Sequence, residues 1–261
     1  MIFVKEGHSK KIHYLGRGIV QIELKPSVYS YTYNRCGLVE GSDILRYESC
    51  KILCEELKKN SIDHSYLIYE DGLILSKLVL EDGFEPNDIS AQEKMKLPKF
   101  APIEVVVKTE HVGTPDHRYY EIGKYPTRFG YKIESKSKYP KPFVRFDWRN
   151  PNEDHEGKRL CDEVMSESFA DYYINVENAK NTALKAFNVL SNFLESKKIQ
   201  LIDICFFIDQ NGTCIFSEIS PDCMRVKSLE NKESLDKDIW RAGGSSPLLI
   251  QKWTKFLEMI S

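Results

Sequence analysis

EISPDCMR, residues 218–225, and SLDKDIWRAGG, residues 234–244, form the stretch on which the reading of this 261-residue chain turns. Glu218 closes an apolar run, Pro221 fixes a turn that presents Asp222, and Arg225 and Arg241 bring two guanidinium groups into one neighbourhood. Arginine's planar fork matches phosphate or carboxylate geometry better than a lysine's point charge, so the segment reads as a pocket for an anionic small molecule. The opposing reading is structural: both arginines pair with acids of their own segment, such as Asp236 and Asp238.

Upstream, LIDICFFID (201–209) and TCIFSEI (213–219) flank Gln210, Asn211 and Gly212 as a predicted hairpin. Ala183, Ala186, Phe187, Leu190, Phe193 and Leu194 recur at helical spacing and predict a helix over 168–198. PIEVVVK (102–108) is β-branched enough for a buried strand. Between these, the run from Gly113 to about Met165 reads as irregular, and its KIESKSKYPKP (132–142) as a solvated loop. Downstream, Ser246 and Pro247 predict a cap and a first-turn proline before a helix carrying Leu249, Trp253, Phe256, Leu257 and Ile260.

Toward the N-terminus, IHYLGRGIVQIEL (12–24) predicts a hairpin whose Gly16 and Gly18 either cover phosphates or merely turn the chain. Ser42 is read as the cap of a helix with Cys50, Leu53, Cys54 and Leu57 on its buried stripe. YLIYE and LILSKLV follow as strands about the Asp71-Gly72 turn. The polar segment 81–100, with Pro86, Asn87 and Pro98, reads as a join, dividing the chain into lobes 1–100 and 101–261.

Composition sets the outer limits. A 41% hydrophobic and 11% aromatic content fits a globular chain with a sizeable core. With 37 Lys and Arg against 39 Asp and Glu, the net charge of −2 steers nothing toward nucleic acid. The seven cysteines lack paired metal-site spacing and read as reduced thiols, and no apolar run approaches the ~20 residues of a spanning helix. A cytoplasmic protein without membrane partners is the expectation, and a homo-oligomer is compatible with it.

The chain resembles the SAICAR synthetase family, formally phosphoribosylaminoimidazole-succinocarboxamide synthase. EISPDCMR resembles that family's DEISPDTCR, LDKDIWR its DKDRFR, PIEVVVKTEHVGT its PLEVVVRNxAAGS, and LIDICFFID its LVDFKLEFG; HYLGRGIV is placed at its YEGKAK loop. The resemblance implies a two-lobed α+β fold related to kinases and ATP-grasp proteins, with an antiparallel-sheet N-lobe and a mixed α/β C-lobe. It also implies an activity: ATP and Mg²⁺ activate a ribonucleotide carboxylate as an acyl phosphate, and an amino acid amine displaces phosphate to form an amide.

By position, the resemblance assigns the phosphate of a phosphoribosyl ligand to Lys108, Thr114, Arg225 and Arg241, and the ribose side to Asp203. Glu218, Asp222 and Asp203 become the catalytic candidates, and Gly16, Arg17, Gly18 and Lys77 the nucleotide contacts. Glu218 and Asp162 are the candidate metal ligands, with Asp154 and Glu163 as alternatives because NPNEDHEG and LCDE both resemble the family's acidic segment. The ATP side departs from the family. Phe207 stands for a metal-ligating glutamate, Ser217 for an aspartate, and Cys205 and Ile19 for lysines. Two functions follow: an ATP-dependent ligase with displaced metal ligands, or a repurposed relative that keeps the ribonucleotide pocket without ATP chemistry.

Overall fold

The computed structural model describes residues 2–30, 35–113, 119–150, 155–157, 160 and 162–261. Alternating apolar residues build β1 (Ile2–Glu6), β2 (Lys10–Gly16) and β3 (Ile19–Leu24), and a separate ribbon pairs β4 (Ser27–Ser30) with β5 (Arg35–Leu38). β6 (Tyr66–Glu70) and β7 (Leu73–Lys77) complete an antiparallel sheet in the order β1-β2-β3-β7-β6. Asp71 and Gly72 turn that last pair with φ of 50° and 77°, the primed turn whose twist suits a hairpin.

Helix α1 (Ser42–Lys59) buries Cys50, Leu53, Cys54 and Leu57 as their spacing predicts. Ser42 is not its cap. Gly41 holds that position at φ 82°, a left-handed entry that glycine takes without Cβ strain, and Ser42 is the first helical residue. The helix belongs to the first hundred residues, yet it packs against helices of the C-terminal half, so one hydrophobic core runs through both.

The second sheet comprises β8 (Ile103–Glu110), β9 (Lys138–Trp148), β10 (Glu163–Met165), β11 (Ile199–Phe207) and β12 (Met224–Ser228), antiparallel in the order β10-β9-β8-β11-β12. β9 lies inside the stretch read as irregular. Its prolines, Pro140 and Pro142, fall where the ladder with β8 slips between Lys108↔Phe143 and Glu110↔Lys138, a discontinuity that tolerates residues without an N–H and hides the strand in the sequence. The predicted hairpin at 210–212 forms only in part. Asp209 Oδ1 accepts from the N–H groups of Thr213 and Cys214, both at 2.8 Å, but the return segment makes isolated bridges at Ile215 and no strand. β11 pairs instead with β8 and β12.

One face of this sheet packs on α2 (Val176–Ser196), which buries Ala183, Ala186, Phe187, Leu190 and Leu194. The helix starts eight residues later than its spacing predicts, because Asn175 caps it by accepting from Asn178 N–H and the chain before it forms a separate turn, Glu167–Ala170. The closing helix α3 (Ser246–Ile260) has Ser245 at its cap position, one residue before the expected Ser246, and buries Leu249, Trp253, Phe256 and Ile260.

Candidate functional site

The other face of the second sheet is charged and open. Side chains on alternate residues project to one side of a strand, so Glu104, Val106 and Lys108 of β8 share a face with Asp203, Cys205 and Phe207 of β11. Arg145 and Asp147 of β9 and Arg225 of β12 join them. These residues floor a cavity of about 930 Å³ that the first sheet roofs with Ile12, Val20 and Ile22, and that continues over Leu78, Val79 and Phe84. One half is therefore ionic and the other apolar.

Strand register assembles the ionic corner. Asp203 lies directly opposite Lys108 on one side and Arg225 on the other, which puts a carboxylate between two cations on three adjacent strands. Asp203 accepts from Lys108 Nζ and, at 2.8 Å, from Arg225 Nη1. Lys108 and Asp203 are 2% and 3% exposed, so neither charge is carried by water. Burial works against ionisation of Asp203, but Arg225 and Lys108 outweigh it and hold the carboxyl far below the usual range. Arg225 Nε also lies 3.4 Å from Asp238, and Arg241 pairs with Asp238 and sits 3.7 Å from Asp236. Asp236 is pushed up to about 6 by burial and by Asp238 beside it. Both arginines thus have acid partners from their own segment and still border the cavity. Thr114 lies outside the described residues; its neighbour Gly113, at φ 69°, is so close to the Arg225 guanidinium that an added Cβ would stand 2.8 Å from Nη2.

The remaining candidates of the 218–225 motif are built into the protein. Both oxygens of Glu218 accept from Arg46 of α1, from Nε at 2.8 Å and from Nη2 at 2.6 Å, and the Ser220 hydroxyl donates to the same carboxylate. Arg46 is fully buried and its charge is sustained by Glu218 against desolvation. Asp222 pairs with Lys237 at 3.0 Å, and that lysine also donates to the Tyr29 carbonyl. Burial opposes ionisation of Asp222, while Lys237 and Arg46 lower its pKa on balance.

At the far end stand the substituted positions. Ser217 Oγ accepts from Phe207 N–H at 3.0 Å, so the two sites of the lost carboxylates are adjacent. The Phe207 ring stacks on Phe216 with centroids 5.8 Å apart, and the Arg149 guanidinium lies 5.2 Å over Phe207. Asp162 borders the cavity, with Oδ1 accepting from Asn150 N–H at 2.9 Å. Glu104 is raised to about 7 by burial and by Asp162. Glu163 is exposed at the start of β10, and Asp154 lies outside the described residues. Among the described residues, no group of three His, Cys, Asp or Glu is placed to hold a metal ion. Glu218 is committed to Arg46 and position 207 is a phenyl ring, so the carboxylates left bordering this end are Glu104 and Asp162, oxygen donors of the kind that share a magnesium ion with bound phosphates. The apolar half fits a nucleoside base, and the cations around it fit phosphates.

The glycine turn is displaced from its expected place. Gly16, Arg17 and Gly18 do not border the cavity: Arg17 N–H donates to Asp88 Oδ2 at 2.9 Å, Tyr14 OH donates to Asp88 Oδ1, and Gly18 N–H donates to the Tyr14 hydroxyl oxygen. A carboxylate of the chain already fills the anion position at that turn. The β1–β2 turn at the opposite end of β2, with Gly7, His8, Ser9 and Lys10, borders the cavity instead. Lys77 borders it too, 3.3 Å from Asp63. Sequence reasoning missed Lys10, Arg46, Glu104, Arg145, Asp147 and Arg149. Period-two alternation in PIEVVVK places Glu104 and Lys108 on one face and would have revealed the first acid; β9 was concealed by its prolines and lysines.

Comparison with known proteins fits this architecture. A family model described as SAICAR synthetase matches residues 5–259. The chain belongs to the SAICAR synthetase family. That family is one of ATP-dependent ligases, and the chain is an enzyme by this membership. It is 27% identical to a phosphoribosylaminoimidazole-succinocarboxamide synthase of Methanocaldococcus jannaschii over 90% of this chain and 85% of that protein. It is 25% identical to the bifunctional cordycepin biosynthesis cluster protein 3 of Cordyceps militaris, over 97% of this chain but 32% of that longer protein, so it spans about a third of that relative. The crystal structure of the Ehrlichia chaffeensis synthase superposes with a TM-score of 0.77 at 20% identity, over 99% of this chain and 98% of the other. A type-2 SAICAR synthetase in complex with ADP gives 0.73 at 23% identity, over 99% and 97% of the two chains. Two antiparallel sheets with helices packed against them make the fold α+β, as the resemblance implies. No helix among the described residues is long and apolar enough to cross a membrane.

Proposed function

We propose that this chain joins an aminoimidazole-type phosphoribosyl carboxylate to an amino acid amine with consumption of ATP. The observation that carries the reading is the Lys108–Asp203–Arg225 row with Arg241 beside it, three cations gathered at one corner of a cavity. The ligand's phosphate docks there by taking the place of Asp238, whose side chain is 44% exposed and therefore movable, on Arg225 and Arg241. Asp203, held ionised by its neighbours, accepts from ribose hydroxyls without leaving Lys108. On this reading the lobes are 1–100 and 101–261 and the cavity lies between them, with the base of the nucleotide under the first sheet and Lys77 near its phosphates. ATP supplies the activation of the carboxylate. Glu104, bordering the cavity and raised to about 7, accepts the proton of the incoming amine.

A second reading has its own support. Phe207 and Ser217 occupy the far end, and Glu218 is held by Arg46, so a relative that keeps the ribonucleotide corner while dispensing with metal-assisted ATP chemistry also fits. The Cordyceps militaris relative is by its printed name a bifunctional cordycepin biosynthesis cluster protein. Incubation with ATP, Mg²⁺, an aminoimidazole carboxylate ribonucleotide and aspartate separates the two: phosphate released in step with amide product is expected of the ligase. Product formed at full rate after ATP is stripped away overturns the ligase reading.

A further inference from the structure

Arg145 lies on β9 in the floor of the cavity, directly opposite Val106, in a row that continues to Cys205 and holds no other charge. It is 9% exposed, and its Nη2 donates to Asp147, two places along the same strand. Among the described residues its Nε and Nη1 are buried and have no acceptor. Donors of a charged group that are taken out of water and left unpaired are costly, and each such group calls for a partner. The other arginines bordering the cavity are not in this state. Arg225 and Arg241 rest on Asp203, Asp236 and Asp238, and Arg149 is exposed.

The residues around Arg145 select the kind of anion. Asp147 stands directly opposite Glu104, so two acids face each other across β9 and β8 beside the guanidinium. Glu104 and Lys108 are the diagonal neighbours of Arg145 on β8, at a spacing of about 7–8 Å that long side chains span. A phosphate dianion brought here would be repelled by both acids, whereas a zwitterion meets both signs of charge. An amino acid offers its ammonium to the acids and, from the same end of the molecule, a carboxylate to the arginine, whose N–H groups bind it with charge assistance. Glu104 is the residue that takes the amine proton in the reaction proposed above, so this placement also brings the amine to its base.

We propose that Arg145 binds a carboxylate of the amino acid amine donor, with the amine turned toward Glu104 and Asp147. This rests on the ligase reading and names how its second substrate is recognised. Aspartate is the probe. With ATP omitted, calorimetric titration of aspartate into protein saturated with an aminoimidazole carboxylate ribonucleotide reads binding alone; turnover with ATP and Mg²⁺ gives KM for each substrate. Arg145→Gln is expected to weaken aspartate and raise its KM by about tenfold or more, with Arg145→Lys intermediate and KM for ATP and the ribonucleotide within about twofold of wild type. Because Arg145→Gln takes a charge partner from buried Asp147, Arg145→Gln with Asp147→Asn is made beside it and should show the same loss; thermal melts show that each protein is folded. Asparagine and the α-amide of aspartate each lack one carboxylate, and one of the two should bind wild type and Arg145→Gln alike, which identifies the carboxylate that Arg145 holds. Unchanged aspartate affinity in the folded variants, an equal loss for ATP or the ribonucleotide, two amides that both still lose affinity in Arg145→Gln, or no aspartate binding by the folded wild type overturns the proposal. ATP-driven amide formation with a KM for aspartate that ignores Arg145 sinks this inference and leaves the ligase; Arg145-dependent aspartate binding without any amide product does the reverse.

Discussion

The two ends of the cavity treat charge in opposite ways. At the Asp203 end every cation has a carboxylate: Lys108 and Arg225 share Asp203, and Arg241 meets Asp236 and Asp238. At the Phe207 end Arg149 rests on an aromatic ring and Lys10 has no acidic partner among the described residues. The first end is balanced by the chain's own acids, each cation resting on a carboxylate. The second holds Arg149 without a direct ion pair, with Glu104, raised to about 7, beside it.

That contrast is broken most strongly at Asp203. Asp203→Ala strands the buried Lys108 and is expected to destabilise the fold by about 3–5 kcal/mol in denaturant titration, whereas Phe207→Ser at the other end removes no charge partner. Because the Asp203 carboxyl is depressed below its unfolded value, its contribution is present above about pH 4 and is lost as pH falls further. Wild-type stability unaltered by Asp203→Ala would show that the corner is not held by its charges.

Next in size are the ligand effects. Arg225→Ala and Arg241→Ala are each expected to weaken an aminoimidazole carboxylate ribonucleotide by about 2–4 kcal/mol, while Arg149→Ala leaves that affinity alone. Equal losses in all three variants would merge the two ends into one site. Phe207→Glu with Ser217→Asp sharpens the comparison from the other side. Two carboxylates there should make ADP affinity depend on Mg²⁺, by about tenfold, or about 1.4 kcal/mol, and should weaken it in EDTA by repelling the phosphates.

The smallest effect is in pH. Asp236 has a pKa of about 6, so it is neutral below that value and anionic above it, where it competes for Arg241. Affinity for a phosphorylated ligand should therefore fall as pH rises through 6, by less than about tenfold. The ligand phosphate titrates near pH 6 as well, so the protein's share is the part that Asp236→Asn removes. A profile identical in wild type and Asp236→Asn would assign the whole dependence to the ligand.

What the sequence alone determined was local and periodic. The stripe of α1, the Asp71-Gly72 hairpin, the apolar face of α3 and the arginine-bearing motif 218–241 were all legible, because each depends on spacing within a few residues. Position 203 was legible as a site residue only through resemblance, since nothing in LIDICFF says that two cations flank it. Strand register decided that, by setting Lys108 and Arg225 on either side of Asp203 from ninety-five residues upstream and twenty-two downstream. Only the tertiary structure revealed that Glu218 is occupied by Arg46, 172 positions away, and that the glycine turn at the cavity is Gly7 rather than Gly16. Both turns look alike as sequence; which of them faces a ligand depends on which end of β2 the second sheet approaches. Charge partners and cavity walls are made by long-range packing, and a linear pattern carries no record of them.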